Sequence, residues 1–376
     1  MTDAALIFRL QMFKPSEPFI TAQGGALREF APVYLGRNRF GAAPDAANHA
    51  LEDLPAWQMP QILWNAATRR PGAFIKLLER RPARLVHAHF GPDAVYALKL
   101  ARALSVPLVT TFHGFDATVS AAAMLRSRSP YLANYVMHRK QLARGGAMFL
   151  AVSRHIHAKL LALEFPPANT RLHYIGVDTR AITPPLVRAA TPRILHVARL
   201  VEKKGTSYLI QAFAHIAAHH PRLELVIIGD GPLRGVLEAQ AAASGFGARI
   251  KFLGSQPNQV VLRHMQEAAL FALPSVTSAS GDTEGLPISI LEAAASGLAV
   301  IATTHGGIPE AVQDGVTGIL VPERDDEALA AALETLASDE AARLRMGQAA
   351  RTLIERDFNL ASQTSILEQI YRDVIS

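Results

Sequence analysis

Two carboxylates stand eight positions apart in GDTEGLPISILEAAASG, residues 281–297. Glu284 precedes a Gly-Leu-Pro, and Glu292 lies among Ile, Leu and Ala. Burying an unpaired carboxylate is costly, so Glu292 calls for a hydrogen-bonding partner. Pro287 suits a first helical turn, and the helix is expected to start near Leu286. With every step helical, the two Cα atoms would lie about 12 Å apart at ~1.5 Å per residue. Carboxyl pairs that act on one glycosidic bond stand roughly 5–9.5 Å apart. The spacing suits two contacts along one extended ligand, and a ribose diol would offer Glu292 two hydroxyl donors. A Glu that reaches out to solvent is the plain alternative. Asp282-Thr283-Glu284 has the look of a metal-binding triplet, but hard cations want several oxygen ligands and no other carboxylates cluster nearby.

Cations recur after a second apolar run. In ARLVEKKG, Arg199 is followed five residues later by Lys204 at the mouth of a helix. Two cations beside helix N-terminal amides suit a diphosphate; a solvated loop of charges is the alternative. IIGDGPLRG (227–235) runs from a strand into a glycine turn. Its third glycine, Gly235, comes one position late for G-x-G-x-x-G, so a dinucleotide-dependent oxidoreductase is disfavoured. His113 ends a strand in TFHGFD and could donate to a sugar hydroxyl, although isolated histidines more often serve structure. His87 and His89 are two apart in VHAHF and would share a strand face, the spacing of a metal pair with no third ligand in view.

These residues need strand ends to hold them. In the second half, RILHVARL, LELVIIGDGP, RIKFLG, LFALPS, LAVIATTHGG and GILVPE alternate with helical stretches. Apolar strands without alternation, separated by helices, imply a parallel sheet covered on both faces. The first half repeats the pattern in RLVHAHFG, VPLVTTFHG and AMFLAVS. A proline-bearing seam at 179–193 separates the halves. Two doubly wound α/β domains facing across a cleft are expected, with functional residues just after strands.

Composition narrows the partners. The 376 residues contain no cysteine, which excludes disulfides and thiolate metal sites. No targeting segment or bilayer-length apolar run is evident, so a cytoplasmic enzyme is the expectation. Residues 1–190 hold 23 Lys+Arg against 11 Asp+Glu, and residues 191–376 hold 15 against 21. Only the basic half is suited to an anionic membrane, nucleic acid or phosphorylated substrate. WNAATRRPGAFIKLLERRPAR (64–84) mixes Trp64, Phe74, Ile75, Leu77 and Leu78 with Arg69, Arg70, Lys76, Arg80, Arg81 and Arg84. A short surface-binding helix and an ordinary core-packed helix both fit it. A non-catalytic binder of sugar nucleotide or nucleic acid is a further reading, tested by salt dependence.

Taken together, TFHGFD, VARLVEKKG, IIGDGP, FLG, LPS, the E-x7-E pair and THGGIPEAVQDGVTG resemble the retaining glycosyltransferases of family 4. SEPFI (16–20) and VHAHFG resemble the branch that builds exopolysaccharide or lipopolysaccharide, with Pro18 in place of the usual Thr. YIGVD (174–178) departs from the common P-N-G-V-D. The resemblance implies a GT-B fold: an acceptor domain over 1–182, a nucleotide-sugar domain over 190–358, and a terminal helix near 360–376 packed back onto the first. It implies that Arg199 and Lys204 hold the donor diphosphate and that Glu292 binds ribose. Glu284, with the amides of Gly285 and Leu286, would meet the sugar or its phosphate, and His113 the transferred sugar. Base contacts are expected near Gly229 and Gly254, and acceptor contacts near Ser16, Glu17 and His89. No cofactor and no divalent metal are expected. The donor would be a UDP- or GDP-sugar, and the acceptor a glycan or polyprenyl-diphosphate-linked sugar. Peripheral contact with the anionic inner membrane is expected, and nucleic acid is not.

Overall fold

The computed structural model describes residues 3–55, 60, 62, 65, 68–78, 83–185 and 192–376. They form two compact units, Met1–Gly176 with Leu360–Ser376, and Val177–Asn359.

The first unit holds β1 (Asp3–Phe8), β2 (Gln11–Met12), β3 (Phe30–Gly36), β4 (Asn38–Arg39), β5 (Asn48–Ala50), β6 (Leu85–His89), β7 (Leu108–Phe112), β8 (Met148–Ala151) and β9 (Thr170–Leu172). Seven of these make one parallel sheet in the order β5-β3-β1-β6-β7-β8-β9, while β2 pairs with β4. Helices α1 (Pro18–Gly25), α2 (Gly91–Leu104) and α3 (Pro130–Gly145) belong to it. Every residue of β6, β7 and β8 is buried, as expected of a sheet covered on both faces. The apolar runs at 84–91, 106–114 and 147–153 mark those three strands. They miss β1, β3, β5 and β9. In β3, FAPVYLG carries a proline and a glycine that imitate turn signals, and β5 and β9 are three residues each, too short for periodicity.

The second unit is a six-stranded parallel sheet. Its strands are β10 (Arg193–Val197), β11 (Glu224–Ile228), β12 (Ile250–Phe252), β13 (Leu270–Leu273), β14 (Ala299–Thr303) and β15 (Gly318–Val321), in the order β12-β11-β10-β13-β14-β15. All six apolar runs of the second half are strands. Helices α4 (Thr206–Ala217), α5 (Asn258–Glu267) and α6 (Ile288–Ala295) matter most below. Chain order reverses direction at β10, whose neighbours are β11 and β13. The loops after those strands therefore converge at the place where doubly wound sheets bind ligands.

The chain then returns to the first unit as α7 (Leu360–Ile375). Glu368 on α7 accepts from the amides of Arg28 and Glu29, each at 2.7 Å. The Tyr371 hydroxyl meets His87 Nδ1 at 2.6 Å.

Candidate active site

In the second unit the site is built at the ends of β10, β11, β13, β14 and β15. Gly205, at φ +64°, lets the chain turn from Lys204 into α4; a Cβ there would stand 1.8 Å from the carbonyl oxygen of Pro274. This close approach sets the lysine loop against the segment after β13. Lys204 Nζ lies 2.7 Å from Glu284 Oε1, and Ser275 Oγ donates to the same oxygen at 3.0 Å. Glu284 is 5% exposed. Burial opposes its ionisation, but Lys204 and Lys203 outweigh it and draw the carboxyl down to about 2. Lys203 donates to Asp282 Oδ1 at 2.9 Å and to the Thr283 carbonyl at 3.4 Å. The acidic triplet is thus answered by lysines rather than gathered for a cation.

Glu284 is therefore held by a cation, which its position before a Gly-Leu-Pro did not disclose. Lys203 escaped notice because ARLVEKKG offers two adjacent lysines and spacing alone does not choose between them. Arg199 is exposed, and among the described residues it has no ion-pair partner. It lies near enough to Lys203 to oppose that lysine's charge.

The helix carrying Glu292 begins at Ile288, later than expected near Leu286. Pro287 caps it in extended conformation, φ −69° and ψ 112°, rather than occupying its first turn. Glu292 is half-buried, and Asn258 Nδ2, at the start of α5, donates to its Oε1 at 2.9 Å. Burial pushes its carboxyl up to about 7, against the opposing effect of that hydrogen bond. The partner the apolar helix called for is a neutral amide. Glu292 thus retains a second oxygen and a readily exchanged proton.

Two glycines prepare the neighbouring loops. Gly229, at φ +135°, donates its N–H to the Gly254 carbonyl at 2.8 Å, and a Cβ on it would stand 1.8 Å from the Ala198 oxygen. Only a residue without Cβ brings the β10 and β11 loops this close. Gly235 lies inside the helix Arg234–Ala243, away from this turn.

In the first unit, His113 and His89 are brought together, with His89 Nδ1 and His113 Nε2 3.1 Å apart. His113 Nδ1 is buried and has no partner among the described residues. Asp116 anchors the TFHGFD turn by accepting from Gly91, His113 and Gly114 amides at 3.0, 3.1 and 2.9 Å. Burial raises its carboxyl to about 6 against those bonds. His87 stacks 4.4 Å from His89, so the two share one face of β6. Its ring nitrogens meet Tyr371 and Thr111 at 2.6 and 2.7 Å, which leaves none for a metal. Among the described residues, no group of three or more His, Cys, Asp or Glu could hold a metal ion.

Ser16 is exposed, whereas Glu17 is gripped by Arg9 through two bonds of 2.9 Å. Arg9 also donates to the fully buried Asp93 at 2.5 Å and sits 4.4 Å over the Phe90 ring. Tyr131 donates to the other Asp93 oxygen at 2.7 Å. Arg9, Asp93 and Tyr131 escaped the sequence reading; a lone Arg at a strand end, in LIFRL, was the one available signal. Phe74 packs edge-on to Phe8 at 5.2 Å and Leu78 is buried, so this part of the 64–84 segment serves the core. Trp64, Arg80 and Arg81 lie outside the described residues.

Comparison with known proteins agrees with this architecture. Residues 182–353 match the family described as glycosyl transferases group 1, and residues 22–181 match glycosyltransferase family 4. The amylovoran biosynthesis glycosyltransferase AmsK of Erwinia amylovora is 35% identical over 305 residues, covering 80% of this chain and 70% of that protein. WcaL of Escherichia coli, named for colanic acid biosynthesis, is 36% identical over 280 residues, 72% of this chain and 66% of its own length. Among solved structures, sucrose-phosphate synthase of Thermosynechococcus elongatus superposes with a TM-score of 0.80 at 20% identity over 99% of this chain and 98% of that one. Anabaena HepE, solved with UDP and glucose, gives 0.77 at 18% identity over 99% and 100%. These likenesses fix the fold as GT-B, and the chain belongs to glycosyltransferase family 4.

Proposed function

We propose that the chain is a retaining hexosyltransferase that works without a divalent metal. It would move a sugar from UDP- or GDP-sugar to a glycan or polyprenyl-diphosphate-linked acceptor during assembly of a cell-surface polysaccharide. The observation that carries this reading is the Lys204–Glu284 pair set beside Arg199 and the Gly229–Gly254 turn. A fixed cation and a fixed carboxylate within 2.7 Å suit a ligand that carries phosphate at one end and hydroxyls at the other.

In this reaction the bond between the anomeric carbon and the diphosphate oxygen breaks. The acceptor hydroxyl oxygen bonds to the same face of that carbon, and its proton passes to the leaving phosphate. Lys204, fixed by Glu284, and the exposed Arg199 would stabilise the developing phosphate charge. Glu284, held ionised, faces positive charge growing at the sugar. Glu292 receives the ribose hydroxyls on its carboxylate. His113 would meet the transferred sugar, and Ser16, Glu17 and His89 belong to the acceptor side. The polysaccharide role is supported by the names of AmsK and WcaL. The choice of donors is supported by the UDP bound to HepE and by a GDP-mannose-dependent mannosyltransferase of Mycobacterium tuberculosis, 29% identical over 352 residues.

Incubation with labelled UDP- and GDP-sugars, membrane acceptor extract and EDTA tests the proposal. Transfer with retained anomeric configuration is expected. Absence of both transfer and donor hydrolysis across the panel overturns it.

A peripheral membrane contact is better supported at 117–163 than at 64–84. This stretch holds seven Lys+Arg and no acid, although Lys140 pairs with Glu164 just beyond it at 2.9 Å. On α3, Met137, Lys140 and Arg144 are all exposed and lie on one stripe, at helical spacings of three and four. An apolar residue amid such cations suits an anionic lipid surface. Among the described residues no helix is long and apolar enough to cross a membrane. Sedimentation with phosphatidylglycerol vesicles, but not phosphatidylcholine vesicles, is expected, and K140E/R144E should abolish it.

A further inference from the structure

His305 follows β14 and is 2% exposed. Its Nε2 lies 3.0 Å from the backbone nitrogen of Glu284, and its Nδ1 lies 2.6 Å from Glu323 Oε1. A backbone amide can only donate, so Nε2 must present its lone pair. The ring is therefore neutral in the Nδ1–H tautomer, and Nδ1–H donates to Glu323. Glu323 is fixed in turn by the Thr277 amide at 2.7 Å and the Thr277 hydroxyl at 3.2 Å. One chain of hydrogen bonds thus links the loops after β13, β14 and β15.

The same turn holds the other end of the Glu284 residue. Gly307 donates to the Glu284 carbonyl at 3.3 Å. Gly306 has φ +54°, and a Cβ there would stand 2.3 Å from that carbonyl oxygen. Residues 305–307 therefore grip Glu284 by its N–H and its C=O. Nothing in the backbone of 281–287 could supply this, because the segment is irregular and forms neither helix nor strand. Rotation of the 283–284 peptide would carry the carboxylate away from Lys204 and re-aim the amides of Gly285 and Leu286.

We propose that His305 is a positioning residue. Acting through the Glu284 amide, it aims the Glu284 carboxylate and the next two amides at the sugar end of the donor. This rests on the reading of Glu284 as a donor contact. It adds a specific division of labour: His305 governs turnover of the sugar, while Glu292 and the Gly229–Gly254 turn hold the nucleotide. THGGIPE was visible in the sequence, yet its histidine looked like any residue after a strand.

The test begins with the full-length wild type, measuring UDP and GDP binding and transfer across the donor panel. Failure at this stage strikes the proposed function and not the role of His305. H305A, H305L and H305Q are then compared. Leu fills the space without an acceptor, whereas Gln restores an acceptor oxygen. The expected result is a kcat lower by about 10–100-fold in H305A and H305L, the scale of loss that follows a misplacement near 1 Å. Nucleoside diphosphate affinity stays within about threefold, because removal of this contact leaves the nucleotide subsite intact. H305Q recovers most of the lost kcat. Wild-type turnover in H305L, or a Gln variant no better than Leu, overturns the proposal. Should the variants fail to fold, 15N NMR of the wild-type imidazole decides: protonated Nδ1 with bare Nε2 supports the role, and the opposite tautomer overturns it.

Discussion

The two units place charge in different ways. In the second, ionised groups of opposite sign meet at loop ends: Lys204 with Glu284, Lys203 with Asp282, and Arg199 exposed beside them. In the first, the corresponding strand ends carry neutral rings, His87, His89 and His113, and the buried cation near them, Arg9, is already held by two carboxylates. Burial first, and repulsion from neighbouring cations and rings second, keeps those three histidines well below their ordinary range. The second unit thus presents a field ready for a charged ligand. At these strand ends the first presents neutral hydrogen-bonding rings, which suit a sugar hydroxyl, although the unit as a whole is rich in Lys and Arg.

The sharpest way to break this comparison is to remove the central ion pair. K204M should lower kcat/KM for transfer by about 10²–10³-fold, the usual loss of a transition-state charge contact. It should also cost on the order of 3 kcal/mol of stability, because buried Glu284 loses its paired cation and keeps only the Ser275 hydroxyl and the charge of Lys203. The double variant K204M/E284Q should regain much of the stability and none of the activity. Parallel urea titrations and steady-state kinetics would separate the two effects, and a fully active K204M would refute the site.

Acid should unfold the units in a definite order. Burial holds His87, His89, His113 and His173 in the first unit below their ordinary range, as it does His196 in the second. Below pH 6.5 the unfolded chain takes up protons that these folded sites refuse, so their contribution falls with pH from that point. Glu284 behaves differently. Its folded carboxyl near 2, against an ordinary 4.5, stabilises fully above pH 4.5 and loses that contribution only as pH falls toward 2. Hydrogen exchange resolved by peptide, between pH 7 and 4, should show the first unit losing protection earlier.

A smaller effect concerns Glu292. With its carboxyl near 7, it is partly protonated in the free protein at neutral pH. Ribose hydroxyls bind the ionised form, so nucleoside diphosphate binding should release protons between about pH 5 and 7 and weaken toward acid. Calorimetry in buffers of different ionisation enthalpy would register the release, and E292Q should abolish it. Least of all, E17Q should raise the acceptor KM by roughly three- to tenfold, about the net worth of one ordinary hydrogen bond, with donor binding unchanged.

The second unit was the more legible from sequence because all its strands are apolar runs flanked by a glycine or a proline. Its site residues also fall within quotable stretches, where Glu284 and Glu292 stand out against apolar neighbours. The pairing of Lys204 with Glu284 was not legible. It depends on the approach of Gly205 to Pro274, a contact between segments about 70 residues apart. In the first unit, β3 hid behind Pro32 and Gly36, and Arg9 stood just past the first strand. Its partner Asp93 lies on α2, so only the folded sheet brings them together. His305 was hidden for a third reason: its role lies in which nitrogen bears the proton, and no spacing rule carries that information.

Because α7 closes the first unit, the chain passes between the units twice, after Gly176 and after Asn359. One break in the backbone at either passage leaves the halves joined through the other, and each half remains at high effective concentration for its mate. Cutting at both passages is different: the second unit is excised whole, while the first is left in two pieces. α7 is then held only by contacts such as Glu368 with the Arg28 and Glu29 amides and Tyr371 with His87. Nicked at 359 alone, the protein should behave as one particle and keep its acid unfolding order. Nicked at both, it becomes a split protein whose first unit can be titrated with a synthetic α7 peptide.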